Sequence, residues 1–255
     1  LANWYEAYGI TKPYYSDDAV CIVHGDCRDV LPLIPDKSID LVLTDPPYGI
    51  DIAKRGKVGG DNLAICQDYG ISDWDKARLD LEVIKLLQNK SKNQIIFGGN
   101  YIADLLPASS CWIIWDKREG LPSNNFADCE LIWTSFNKPS RLYSYLWQGM
   151  LQKYMTDKEI RQHPTQKPIE IVGRLINSYS DISTLILDPF LGSGTTAFCA
   201  KKLNRKCIGI EIEEKYCEIS AKRCSQQVFD FSEKYPLPPG PSGVHLMIQD
   251  AQGEL

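Results

Sequence analysis

The feature that most restricts the fold is an unbroken alternation of helical and strand patterns between Pro168 and Gln227. Ile171, Val172, Leu175 and Ile176 recur at the helical period behind Pro168, whose fixed backbone angle suits the first turn of a helix. Leu185-Ile186-Leu187 then reads as a buried strand, Thr195 to Leu203 as a helix, Cys207 to Ile210 as a strand and Glu213 to about Gln227 as a helix. Strands separated by helices pair in parallel, and the helices cover both faces of the sheet, so the class is α/β. Ligands in such sheets bind at the carboxyl ends of the strands. The residues that close each strand are therefore the ones to read.

Upstream, Val20-Cys21-Ile22-Val23 is a short strand closed by Gly25-Asp26, and Arg28 to Ile34 is a short helix. Ser38 to Thr44 is a second strand that stops at Asp45-Pro46-Pro47-Tyr48, because two prolines remove backbone donors and forbid continuation of a central strand. Residues 49–72 lack periodicity and read as a long loop. Trp74, Ala77, Leu81, Ile84 and Leu87 mark a helix over Asp73 to Asn89, followed by strands at Gln94 to Phe97 and Cys111 to Trp115. From Lys117 to His163 the pattern turns irregular, with one strand at Glu130 to Phe136 and then a polar, aromatic stretch. The expected organisation is one α/β unit with a first half over 19–116, a target-recognition insert over 117–163 and a second half over 164–228. An extension follows over 229–255.

Composition removes several classes. An apolar share of 44% with 24% charged residues is that of a soluble globular chain, and no apolar run approaches the ~18 residues of a membrane span. Leu1 to Tyr15 carries no signal-like apolar core, so the expected address is cytoplasmic, with no membrane partner. Nine cysteines, an odd number without a Cys-x-x-Cys pair, read as reduced, mostly buried thiols. With only His24, His163 and His245 to join them, no metal site is expected. The net charge of -5 means that any contact with nucleic acid must come from a local basic patch.

Three strand ends carry chemistry. Asp188-Pro189-Phe190-Leu191-Gly192-Ser193-Gly194 is a Gly-x-Gly turn between a strand and a helix, and the next strand ends in Glu211 roughly 20 residues on, as in nucleotide-binding units. A bare turn is the plain alternative. A phosphate cradle is disfavoured, because no lysine follows the glycines and Asp188 would repel a phosphate. Asp45-Pro46-Pro47-Tyr48 suits a different task. The exocyclic amino group of a base is a poor nucleophile, since its lone pair is delocalised into the ring, and a catalyst must accept hydrogen bonds from both of its N–H groups. The Asp45 carboxylate and the Pro46 carbonyl, held rigid by Pro47, can do so, while Tyr48 offers a face on which a flipped base can stack. Gly25-Asp26 is the third end, where a carboxylate can accept from a ligand amino group or simply form a turn.

In this order, Asp45 to Tyr48, His163-Pro164-Thr165-Gln166-Lys167-Pro168 and Asp188 to Gly194 resemble the motifs of the β-group DNA amino-methyltransferases, in which the catalytic motif precedes the cofactor motif. The resemblance covers roughly residues 19 to 225. It implies a Rossmann-like sheet in permuted order, S-adenosylmethionine as cofactor, double-stranded DNA as partner and a homodimer as a possible assembly. It also implies that Asp26 meets the adenine amino group of the cofactor and Glu211 its ribose, with Thr165 and Lys167 near its methionine carboxylate. Asp188, Phe190, Gly192, Ser193, Gly194 and Asp45 would complete that set. Asp rather than Ser at position 45 implies transfer to adenine N6; N4 of cytosine and a non-catalytic fold relative that binds nucleic acid are the alternatives.

Two basic segments are candidate DNA contacts. Lys54, Arg55 and Lys57 follow the tetrapeptide in a Gly-rich loop, read equally as solvated or as contacting phosphate. Lys138 and Arg141, interleaved with aromatics, are the other candidate, their aromatics readable also as a small satellite core.

Overall fold

The computed structural model describes residues 3–49, 78–124, 126–148 and 151–226. The basic loop with Lys54, Arg55 and Lys57, and the extension from residue 229, lie outside the described residues. In chain order the elements are β1 (Tyr15–Ser16), β2 (Val20–His24), α1 (Cys27–Val30), β3 (Ile39–Thr44), α2 (Leu81–Lys90), β4 (Ser91–Ile96), β5 (Trp112–Asp116) and β6 (Cys129–Thr134). Then follow β7 (Arg141–Ser144), β8 (Trp147–Gln148), β9 (Leu151–Gln152), α3 (Ile169–Tyr179), β10 (Leu185–Asp188), α4 (Thr195–Lys202), β11 (Lys206–Glu211) and α5 (Glu214–Ser225).

Nine strands form one sheet in the order β1-β2-β11-β10-β3-β4-β6-β5-β7. The central five, β2 to β4 in that order, are parallel, so Asp26, Glu211, Asp188 and Asp45 all stand at one edge, in the permuted sequence that the motif order implies. Side-chain alternation splits the interior in two. Leu41 and Leu43 of β3 face the helical layer of α3, α4 and α5, whereas Val42 packs with Val83, Ile84 and Leu87 of α2 on the other face. Asp80 starts α2 by accepting from the Val83 backbone N–H at 2.9 Å, as an N-cap carboxylate does.

The helix expected over Asp73 to Asn89 begins at Leu81, with residues 73–77 outside the described residues. Two further sequence readings change. β4 begins at Ser91, directly after α2, rather than at Gln94. Its first residues are polar, so apolar patterning hides them: Ser91 Oγ donates to the Leu87 carbonyl at 2.5 Å and Lys92 pairs with Asp40 on β3. The second change concerns the expected insert over 117–163. β6 lies between β4 and β5, antiparallel to both, and β7 pairs in parallel with the outer side of β5. Residues 129–144 thus extend the main sheet, because Ile132 and Trp133 are buried within it. Only the β8–β9 hairpin and its flanks stand outside.

Of the described cysteines none is in a disulfide, and all but Cys129 are buried. Among the described residues no helix is long and apolar enough to cross a membrane, and no His, Cys, Asp or Glu cluster suits a metal ion.

Candidate active site

A cavity of about 520 Å³ opens at the carboxyl ends of the parallel strands, bordered by Asp26, Asp45, Pro47, Thr165, Lys167, Asp188, Phe190, Gly192, Ser193 and Glu211. Two sequence motifs more than a hundred residues apart meet there.

The floor is built by buried carboxylates that hold loops. Asp188, 3% exposed, accepts from Thr44 Oγ1 at 2.7 Å and from the Phe190 N–H at 3.1 Å, tying β3 to the turn after β10. Burial pushes its carboxyl up to about 6, against the hydrogen bonds that favour the charge. Glu211 accepts from the Gly192 N–H at 2.7 Å through Oε2 and from the Glu213 N–H at 2.8 Å through Oε1, so it braces the Gly-Ser-Gly turn. Burial raises it as well. The turn itself needs glycine: Gly194 has φ +79°, and a Cβ there would stand 2.8 Å from the Ser220 side chain. Ser193 Oγ donates to Gln166 Oε1 at 3.1 Å, linking this turn to the segment before α3.

Asp26 also borders the cavity, with its carboxylate engaged. It caps α1 through the Arg28 N–H at 2.9 Å and is clasped by the Arg28 guanidinium, which holds it below the usual carboxylate range. Thr165 stands 3.0 Å from His163 Nδ1. Burial lowers that imidazole to about 3, so it stays neutral at physiological pH.

Asp45 follows β3. Its Oδ1 accepts from the Tyr48 hydroxyl at 2.5 Å and its Oδ2 from Lys167 Nζ at 2.5 Å. Burial raises the carboxyl, and the Lys167 ammonium pulls it back. Pro46 is buried. The Tyr48 ring stacks on Tyr101, with centroids 4.6 Å apart and planes 15° from parallel. It also packs on Gly98, where φ is +62° and a Cβ would fall 2.2 Å from the ring. One of the faces that the sequence offered to a base is therefore occupied by Tyr101.

Lys167 borders the cavity and also meets the catalytic segment. Its side chain is only 9% exposed and directed to Asp45, with Glu130 Oε2 at 3.6 Å on its other side. Glu130 and Tyr101 were not among the residues singled out from sequence. A glutamate opening an apolar strand was the one available signal, and the antiparallel course of β6 is what brings it here. Lys138 and Arg141 lie elsewhere. Arg141 pairs with Ile113 and Ser144 with Asp116, so β7 runs toward the site and Arg141 starts at its far end. Lys138 sits further back, its ammonium over the Phe136 and Tyr179 rings at 5.4 and 4.9 Å.

Comparison with known proteins agrees with this geometry. The DNA methylase family matches residues 116–222. The Type II methyltransferase M2.LlaDCHI of Lactococcus lactis subsp. cremoris is 30% identical over 267 residues, covering 88% of this chain and 97% of that one. The fold is shared with the PvuII DNA methyltransferase, described as cytosine-N4-specific, at 18% identity and a TM-score of 0.59, covering 88% of this chain and 92% of that one. It is shared too with M1.HpyAVI solved with SAM, at 19% identity and a TM-score of 0.50, covering 81% and 99%. The chain belongs to the S-adenosylmethionine-dependent DNA amino-methyltransferases.

Proposed function

We propose that this DNA methyltransferase acts on N6 of adenine at a specific site in double-stranded DNA, with Asp45, Pro46, Pro47 and Tyr48 as the catalytic segment. The observation that carries the reading is the position of Asp45, partly buried at the end of β3 and bordering the same cavity as Asp188 and Glu211. The cavity residues suit the cofactor: Asp26 and Glu211 offer acceptors to an amino group and to ribose hydroxyls, Phe190 offers an apolar face, and the surrounding carboxylates favour a cation.

When bound, S-adenosylmethionine supplies a methyl group on a sulfonium sulfur, which the amino nitrogen takes in line as the carbon–sulfur bond breaks and its electron pair stays on sulfur. The protein's part is orientation. An entering N–H takes one of the Asp45 oxygens in place of a present donor, and the Pro46 carbonyl takes the other N–H, directing the nitrogen lone pair at the methyl carbon. The spare proton leaves the product nitrogen for water. Tyr48 supports the base as it is held outside the helix. The reading places the enzyme with DNA in the cytoplasm and, as the family resemblance implies, as a homodimer, which sedimentation in solution checks.

The test is to react enzyme, DNA and labelled cofactor, digest to nucleosides and identify the product by mass spectrometry. N6-methyladenine is expected, and Asp45→Ala is expected to lose ~10²-fold or more in turnover, as when a transition-state acceptor is removed. N4-methylcytosine as the sole product would replace adenine as the target; an unimpaired Asp45→Ala would remove Asp45 from the mechanism.

A further inference from the structure

The side chains behind Asp45 form a chain of alternating charge. Lys117 Nζ lies 3.1 Å from Glu130 Oε1, Glu130 Oε2 lies 3.6 Å from Lys167 Nζ, and Lys167 Nζ lies 2.5 Å from Asp45 Oδ2. Every member is at most about a fifth exposed. The contributions come from four separate elements: the turn after β5, the start of β6, the segment before α3 and the end of β3. Replacing such buried ion pairs with packed apolar groups is often neutral or stabilising, so stability alone does not account for this arrangement.

The unequal distances around Lys167 are informative. Its ammonium is fully engaged with Asp45 and falls just short of Glu130 Oε2, a buried oxygen with no hydrogen-bond partner among the described residues. A displacement of about 1 Å would exchange one carboxylate for the other. The Phe97 and Tyr48 rings, at 5.2 and 5.6 Å, flank the ammonium.

We propose that Glu130 and Lys167 are a positioning pair for the catalytic carboxylate, Lys167 holding Asp45 in its ionised form and Glu130 receiving the ammonium as the amino group of the base binds Asp45. The inference rests on Asp45 being the acceptor in the reaction. Without Glu130 the lysine stays on Asp45 and weakens the carboxylate as an acceptor; without Lys167 two carboxylates face one another and Asp45 takes up a proton. Among the described residues the other groups facing Asp45 are the Tyr48 hydroxyl from its own segment and Asp188 from β10. Among the described residues only the pair supplies opposite charges behind it.

Opposite charges give opposite signs, which a merely structural role would not. Catalysis requires ionised Asp45, so the rate falls as pH drops through its pKa. Removing a neighbouring cation raises that pKa, and removing a neighbouring anion lowers it. The experiment follows single-turnover methyl transfer to duplex DNA against pH, with cofactor affinity measured calorimetrically for each variant. Lys167→Gln should move the acid limb upward by about one pH unit or more. Glu130→Gln should move it downward while the plateau rate falls about tenfold or more, within the range for a single acid–base or orienting group. Lys117→Met, which leaves Asp45 and its lysine untouched, should move the limb upward less than Lys167→Gln does and keeps the test open should Glu130→Gln fail to fold. Cofactor affinity should stay within about twofold throughout, as for groups that act on the chemical step. Limbs that stay in place, or all move the same way, overturn the pair. A fully active Asp45→Ala, which keeps no acceptor at that position, instead overturns the assignment of Asp45, so the two failures are distinguishable.

Discussion

The half of the sheet built by α3, β10, α4, β11 and α5 differs in kind from the flank built by β6, β5 and β7. In the first, every strand runs the same way, and each delivers the residue at its carboxyl end to the cavity: Asp188 from β10 and Glu211 from β11. In the flank direction changes. β6 runs opposite to β4, so it delivers its first residues, and Glu130 reaches the site from the start of a strand. β7 turns back toward the site, which leaves Lys138 and Arg141 at the remote end. Strand direction, more than residue type, decides which charged side chains can take part.

The comparison breaks most visibly if Glu211 proves dispensable. Glu211→Ala removes a carboxylate from the cavity and strips acceptors from the Gly192 and Glu213 N–H groups. Loss of a charged hydrogen bond worth ~1.5 to 3 kcal/mol should weaken cofactor binding by about 10- to 150-fold, read by calorimetry. DNA affinity should change little. Cofactor binding at wild-type strength would mean that the parallel half supports the turn without touching the ligand.

A smaller effect tests whether the same half carries stored electrostatic strain. Asp188 has a folded pKa of about 6, above its unfolded value of 3.8, so the folded state holds the proton more tightly. Its contribution to stability is therefore greatest below the unfolded value and is lost as pH rises through about 6. Asp188→Asn cannot ionise and escapes that loss. Between about pH 4.5 and 7.5 its stability relative to wild type should improve by ~2 kcal/mol, measured by denaturant melts at both pH values. A pH-independent difference would show that Asp188 titrates normally.

The smallest expected effect lies on the flank. Lys138→Ala with Arg141→Ala should leave duplex affinity within about twofold and the salt dependence unchanged, because the length of β7, about 10 Å, separates Arg141 from the end nearer the site and Lys138 sits further back. A slope shallower by about one to two in a log–log salt titration would show that the remote end meets phosphate after all.

Much of the parallel half was legible because periodic apolar residues, Pro168 at a helix start and glycines at a tight turn each have a local cause. Asp188, Gly192, Gly194 and Glu211 could be singled out for the same reason, since in a βα unit position along the chain predicts position at the sheet edge. The flank offered no such rule. Its strands are short, its connections irregular, and the sequence suggested a separate insert where the sheet simply continues.

The sequence by itself determined the α/β class and the abrupt end of β3 at two prolines, both consequences of backbone chemistry and local periodicity, whereas the permuted order of the central strands followed from the resemblance of its motifs to a known family. Only the tertiary structure decided which partners the charged residues take. Lys167 lies 122 residues from Asp45 in the chain. Nothing in its neighbourhood in sequence distinguishes a solvated lysine from one enclosed between two carboxylates. That choice is made by the antiparallel β6, which carries Glu130 to the cavity edge, and by the low polarity of the enclosure, which makes an unpaired charge there too unfavourable to persist.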